Sequence, residues 1–217
     1  MSESNAGEIS AGGDLWKPAR IEALSDGVFA IVMTLLVLEL KVPALPRDAS
    51  PAEVWQGFLE LGPMFFSYFV TFALAGAFWS WHHRAFHELR HASGPLFALN
   101  LGFLAFVSLL PFSTAMLGAF RLRQPVSLAC YFGNLLAMAV MLSVLWHVAR
   151  RSGLLAPARD PVSRRIFTGI MLAQVSACVA ALVALTINPA QAMNTYVIVL
   201  TVSNVVVRRT ARLPARR

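Results

Sequence analysis

Residues 20–40 read RIEALSDGVFAIVMTLLVLEL, and from Gly27 to Leu38 this run is apolar except for Thr34. A helix that crosses the hydrocarbon core of a bilayer needs about 20 such residues. The run is too long for a buried strand and too uniformly apolar for a helix with one face in water. It therefore predicts a membrane-spanning α-helix whose charged residues lie at its N-terminal end.

Five further apolar segments follow in the 217-residue chain, so the sequence predicts an all-α, polytopic membrane protein. The six expected spans are 21–40, 58–79, 96–120, 126–147, 166–187 and 192–207. The composition agrees, because 13% of the residues are charged and soluble domains have about a quarter. We expect a disordered cytoplasmic lead at 1–16, one transmembrane domain at 17–208 and a basic cytoplasmic tail at 209–217. This leaves little chain for a soluble enzyme domain.

The distribution of Lys and Arg predicts the orientation, because cytoplasmic loops retain positive charge. With the N-terminus inside, fourteen of the eighteen basic residues are cytoplasmic. The four on the other side are Lys41, Arg47, Arg121 and Arg123. We therefore expect an inner-membrane protein with both termini in the cytoplasm. Its net charge of +7 needs no nucleic-acid partner as an explanation.

Asp26 needs partners inside the protein, because an ionised aspartate at the centre of a spanning helix costs about 2.5–3.5 kcal/mol. Polar residues at the same expected depth come from the ends of the first three helices. We expect a structural polar network formed by Arg20, Ser25, Asp26, His82, His83 and Asn100.

The stretch at 20–40 resembles the first-helix signature of the bacterial branch of the transmembrane protein 175 family of potassium channels. The resemblance continues in FWSWHHR at 78–84 and in Asn100 with LPFST at 110–114, so that it covers about residues 17–118. One departure is Leu24, where the family usually has phenylalanine. The resemblance implies a homotetramer of six-helix subunits, in which the first helix lines a central pore that has no potassium-channel filter loop.

The resemblance also assigns roles along the first helix. It implies that Ile31, Leu35 and Leu38 form the pore constriction or gate and that Thr34 contributes to potassium selectivity. On an α-helix these positions share one face. Rings of branched aliphatic side chains favour dewetting of a pore, and hydroxyl oxygens can replace part of the water around a cation. We therefore predict a passive, potassium-selective cation channel with potassium as permeant ligand, surrounding membrane lipid and no cofactor.

The residues themselves also allow purely structural interpretations and other classes of function. The apolar side chains of this helix could face lipid or the core of the bundle, and the hydroxyl of Thr34 could bond the carbonyl of Ala30. A second class of function is a proton-coupled secondary transporter that uses Asp26 and a histidine of the second helix. A third is an intramembrane enzyme that pairs Ser25 with His82, although no acyl-transfer signature surrounds either residue. The prediction is that the protein has no catalytic residues.

Two hypotheses concern the histidines. His83, His87 and His91 recur every four residues and would line one side of a continued helix, as metal or haem ligands do. A second set of ligands is missing, so we expect no metal site. Instead, we expect His82 or His83 to reach Asp26 or Ser25, which would make channel opening depend on pH between about 5 and 8.

Overall fold

The computed structural model describes residues 17–120, 124–157 and 161–210. The expected lead at 1–16 and positions 211–217 of the expected tail lie outside these ranges. The helices are α1 (Pro18–Leu35), α2 (Pro51–Glu60), α3 (Gly62–His87), α4 (Gly94–Ser108), α5 (Leu110–Ala119), α6 (Pro125–Arg151), α7 (Pro161–Ile187) and α8 (Ala192–Thr210). Short 3-10 segments extend α1 over Leu36–Glu39 and precede α8 at Pro189–Gln191.

Six helical segments in the described part are long and apolar enough to cross a membrane, which confirms the prediction of six spans. They are Pro18–Glu39, Gly62–His87, Gly94–Ala119, Pro125–Arg151, Pro161–Ile187 and Pro189–Thr210. Most of the helices begin with proline at or next to their first residue. Proline has no N–H group, and the first turn of a helix does not need one.

The second expected span is wrong at its start. Phe58 belongs to the separate helix α2, and the crossing helix begins at Gly62. A capping box starts α2, in which the Ser50 hydroxyl accepts from the Glu53 N–H and the Glu53 carboxylate accepts from the Ser50 N–H at 2.7 Å. The bonds from the backbone N–H and the hydroxyl of Ser50 hold the pKa of Glu53 below its ordinary value. The described residues of α2 are all at least partly exposed.

The third span consists of two helices. Residue 111 is a proline, so the chain lacks the N–H group that would bond the carbonyl of Val107. The structure ends α4 at Ser108 and begins α5 at Leu110. The missing bond at Pro111 accounts for this break.

Helix α1 packs on the rest of the subunit with one face only. Its buried residues recur about every 3.6 positions, and they are Ile21, Ser25, Phe29, Val32 and, in the 3-10 segment, Leu36. This face lies against α3 and α4, and α4 in turn packs against α6. Because α1 is apolar nearly all round from Gly27 onward, its other face presents apolar side chains there that the subunit itself does not cover.

Candidate pore-lining helix and polar cluster

The four residues with expected pore roles lie on the uncovered face of α1. Within the single subunit, the exposed fraction is 61% for Ile31, 41% for Leu35 and 67% for Leu38. Thr34 lies beside them and is also exposed. We call these four residues the α1 strip. The opposite face of the same helix is anchored by buried residues of the subunit.

The strip stays continuous although the helix tightens at its end. Leu38 lies in the 3-10 segment Leu36–Glu39 rather than in regular α-helix. In a 3-10 helix, residues three apart lie directly above one another. Leu38 therefore follows Leu35 along the same line, and the change of helix type preserves the shared face.

The Thr34 hydroxyl is hydrogen-bonded to the backbone of its own helix, as the structural interpretation of this residue predicts. Its oxygen lies 2.7 Å from the carbonyl oxygen of Ile31 and 3.1 Å from that of Ala30. A hydroxyl has one hydrogen and two acceptor lone pairs. Because the hydrogen is donated to the backbone, acceptor capacity of the oxygen remains for a cation on the exposed side.

Three buried side chains join α1, α3 and α4 in a row, which we call the buried polar chain. The Asn100 amide donates to Ser25 Oγ at 3.1 Å, and Ser25 Oγ donates to the carbonyl of Ile21 at 2.9 Å. The Asn100 amide oxygen lies 2.7 Å from His82 Nε2, and this oxygen can only accept, so Nε2 carries the proton. Ser25, His82 and Asn100 are all fully buried.

Aromatic rings fix the histidine of this chain. The ring of His82 stacks on Phe86 at a centroid distance of 4.3 Å and on Phe103 at 5.6 Å, with interplanar angles of 23° and 6°. Packed between these rings, His82 can turn little about its side-chain bonds. The arrangement is therefore suited to holding three helices in one register.

Asp26 and His83 each contact a residue that was not expected from the sequence. Asp26 accepts a hydrogen bond from Trp79 Nε1 at 2.8 Å. His83 Nδ1 lies 2.5 Å from Glu22 Oε1, and its ring stacks on Trp79 at 5.7 Å. In the antiparallel pair of α1 and α3, residues four apart on one helix thus meet residues four apart on the other. This matching interval is the sequence signal that could have found both pairs.

The expected direct contact of a histidine with Asp26 or Ser25 is therefore wrong. Asn100 lies between His82 and Ser25 and contacts both side chains. The carboxylate of Asp26 accepts a hydrogen bond from the indole of Trp79 instead of from a histidine. Arg20 is exposed, and the ion pairs found among the described residues do not join it to Asp26. The expected pH dependence of opening stays a prediction.

The histidine series is interrupted by the end of the helix. Helix α3 ends at His87, so His91 does not continue its face. The rings of His83 and His87 stack at a centroid distance of 6.3 Å. Within the described ranges, no three His, Cys, Asp or Glu side chains are grouped as metal ligands would be.

Comparison with known proteins places these features in a family. Residues 20–111 match the family described as endosomal/lysosomal potassium channel TMEM175. A potassium channel of Streptomyces collinus is 36% identical over 151 residues, which are 67% of this chain and 71% of that protein. The endosomal/lysosomal proton channel TMEM175 of Bos taurus is 42% identical over 120 residues, which are 52% of this chain and 25% of that protein.

The solved structures agree with the sequence matches. A crystal structure of a lysosomal potassium-selective channel TMEM175 homolog from Chamaesiphon minutus superposes with a TM-score of 0.70 at 26% sequence identity. The superposition covers 90% of this chain and 98% of that one. The α1 strip and the buried polar chain both lie within the matched residues 20–111. The chain belongs to the TMEM175 family.

Proposed function

We propose that the protein is a potassium-selective cation channel in which four copies contribute their α1 strips to one central pore. The observation that carries the proposal is the apolar, uncovered strip on a helix whose opposite face is buried in its own subunit. The family match covers this helix, and the relatives from Streptomyces collinus and Chamaesiphon minutus are described as potassium channels. The channel would need no cofactor.

In this proposal the apolar residues of the strip act as the gate. In a tetramer, Ile31, Leu35 and Leu38 would form three rings of four side chains each. These rings would narrow the pore and favour its dewetting, which raises the barrier for a hydrated ion. A modest movement of α1 would widen the rings and let water and ions through. Conduction is then passive and follows the electrochemical gradient.

Selectivity would come from Thr34, since the chain contains no Thr-Val-Gly-Tyr-Gly filter sequence. The hydroxyl donates to its own helix and keeps oxygen lone pairs for a cation. Such neutral oxygens replace hydration water without the full charge that would trap an ion. Potassium gives up its water more readily than sodium, so weak oxygen ligands favour potassium.

Replacing Thr34 with valine tests this role, because valine has nearly the same shape and lacks the oxygen. We expect the permeability ratio of potassium to sodium to fall about tenfold, the equivalent of ~1.4 kcal/mol. Reversal potentials in planar bilayers with different cations on the two sides give the ratio. Thr34→Ser, which keeps the hydroxyl, should retain most of the selectivity. An unchanged permeability ratio in Thr34→Val would show that the hydroxyl of Thr34 does not contribute to selectivity.

Three contacts weigh against the rival functions. A transporter that relays protons through Asp26 and a histidine would bring these two groups together, whereas Trp79 donates to Asp26 and Asn100 contacts His82. An enzyme with Ser25 as nucleophile would place its hydroxyl on His82, whereas this hydroxyl donates to a backbone carbonyl. Potassium flux that follows its gradient without a coupled proton or sodium ion would separate the channel from the transporter.

For the membrane location, we propose the bacterial inner membrane with both termini in the cytoplasm. The basic residues at the end of α6, the start of α7 and the end of α8 would then share one side. They are Arg150, Arg151, Arg164, Arg165, Arg208 and Arg209. This grouping is the asymmetry that the positive-inside rule describes.

A further inference from the structure

A cavity of about 680 Å³ opens at the end of the subunit where α6 finishes and α7 begins. Its polar wall carries three arginines and a hydroxyl, and its apolar wall continues along α7 toward the middle of the span. The residues that matter for the argument are Arg150, Arg164, Arg165, Thr168, Gly169 and Leu172. The cavity lies apart from the α1 strip and has no role in the proposed conduction pathway.

The charges around the cavity do not balance. Arg164 is neutralised by Glu88, whose carboxylate oxygen lies 2.8 Å from Nε and 2.6 Å from an η nitrogen. Arg150 contacts only a neutral group in the described part of the chain, the Thr168 hydroxyl at 3.3 Å, and Arg165 is exposed. None of the described residues that line the cavity is acidic. Among the described residues, Arg150 and Arg165 therefore have no acidic partner at the cavity.

The backbone adds to this field. Helix α7 is 27 residues long and begins at Pro161, on the wall of the cavity. The N-terminus of a long helix carries a partial positive charge, and its first N–H groups have no partner within the helix. The arginines and the helix terminus thus both favour an anionic ligand.

The shape of the cavity indicates what kind of anion fits. Leu172 lies about three turns into α7, and its exposed fraction is 60%. A small inorganic anion would bind the arginines and leave this apolar wall uncovered. A phospholipid would place its phosphate on the arginines and one acyl chain along Gly169 and Leu172. Basic pockets between transmembrane helices on the cytoplasmic side bind lipid headgroups in this way.

We propose that this cavity is a binding site for an anionic phospholipid of the cytoplasmic leaflet, with Arg150 and Arg165 as the residues that hold its phosphate. The inference rests on the proposed orientation of the chain and is independent of which ion the channel conducts. Its test is a lipid-binding measurement, so its failure leaves the ion-flux experiments unaffected.

The test uses the purified full-length protein in a neutral detergent. Phosphatidylglycerol is titrated in, and binding is followed by the rise in melting temperature and by native mass spectrometry. We expect Arg165→Gln to weaken the apparent affinity about fivefold and Arg150→Gln/Arg165→Gln about twenty-fivefold, given the usual contribution of one basic residue near a lipid headgroup. Phosphatidylcholine, which carries no net charge, should bind much more weakly to the wild type.

Arg151→Gln is the matched control, because Arg151 ends the same helix as Arg150 and does not line the cavity. It should retain the wild-type affinity. The single variant Arg165→Gln decides the matter if the double variant does not fold, since Arg165 is exposed. Equal binding by the cavity variants and the wild type would overturn the proposal, as would an equal loss in Arg151→Gln. A rise in melting temperature with glycerol phosphate as large as that with phosphatidylglycerol would overturn the assignment to a lipid.

Discussion

Replacing Leu35 with alanine is expected to raise the basal potassium flux about tenfold. Leu35 lies near the middle of the α1 strip and is 41% exposed within its own subunit. In the proposed tetramer, truncating it in four subunits would widen the proposed constriction and admit water to it. A tenfold change corresponds to a barrier lower by ~1.4 kcal/mol. The measurement is potassium efflux from proteoliposomes.

Leu101 provides the matched control for this experiment. It is a leucine of similar exposure, 44%, on α4 rather than on α1. Leu101→Ala should leave the basal flux near the wild-type value, since Leu101 is on α4 and does not belong to the α1 strip. If Leu35→Ala conducts no faster than Leu101→Ala, Leu35 is not part of the constriction.

Replacing Asn100 with leucine should destabilise the folded subunit by about 1–3 kcal/mol. The substitution keeps the branched shape of the side chain and removes both side-chain bonds of Asn100, to Ser25 and to His82. Side-chain hydrogen bonds in membrane proteins have measured values of about 0.6 kcal/mol on average and about 1.7 at most. Two lost bonds give the lower end of the range, and the unpaired His82 nitrogen in a fully buried site raises the cost.

Thermal and denaturant unfolding in detergent measure this loss. Asn194→Leu is the control, because Asn194 is exposed on α8 and bonds only its near neighbour Gln191 among the described residues. It should cost less than about 0.5 kcal/mol, as surface substitutions usually do. Equal stability of Asn100→Leu and Asn194→Leu would show that the buried polar chain does not hold the helices together.

The six spans could be predicted from the sequence because a bilayer imposes a simple condition. Every backbone N–H and C=O group in the hydrocarbon region needs an internal partner, and a long apolar helix provides all of them. The break at Pro111 follows because proline has no N–H group and cannot form the helical bond at that position. Hydropathy and proline positions together therefore gave the number of spans and most of their limits.

The separate helix α2 could not be predicted from hydropathy. Phe58 continues the apolar composition of the span that follows, so the two helices merge in a hydrophobicity profile. Their separation depends on local hydrogen bonds at Ser50 and Glu53 and on the turn before Gly62. The pattern of serine followed three residues later by glutamate is a capping-box signal and could have indicated the start of α2.

The polar cluster could be predicted as a group of residues but not as a set of pairs. Depth along each helix follows from sequence position, which is why Ser25, His82 and Asn100 are expected together. Pairing depends on the register between α1 and α3, and this register is set by the packing of residues such as Phe29. A shift of one helical turn in one direction would place Asp26 beside His83 and Glu22 beside His87.

The uncovered face of α1 could be identified only with both kinds of information. The helix is apolar on all sides, so periodicity selects no face, and the resemblance named the residues. The structure then showed that Ile21, Phe29 and Val32 are buried while the α1 strip is exposed. The assignment of this exposed strip to a pore is the central claim.

Thiol modification of Leu38→Cys tests this claim most directly, in a background where Cys130 and Cys178 are replaced. Leu38 is 67% exposed and lies at the end of α1 away from the basic N-terminus. Phe69→Cys on α3, where the phenylalanine is 63% exposed, is the control. A membrane-impermeant thiol reagent should block potassium flux in Leu38→Cys and leave the flux of Phe69→Cys unchanged. Unchanged flux through a modified Leu38→Cys protein would contradict a pore lined by α1.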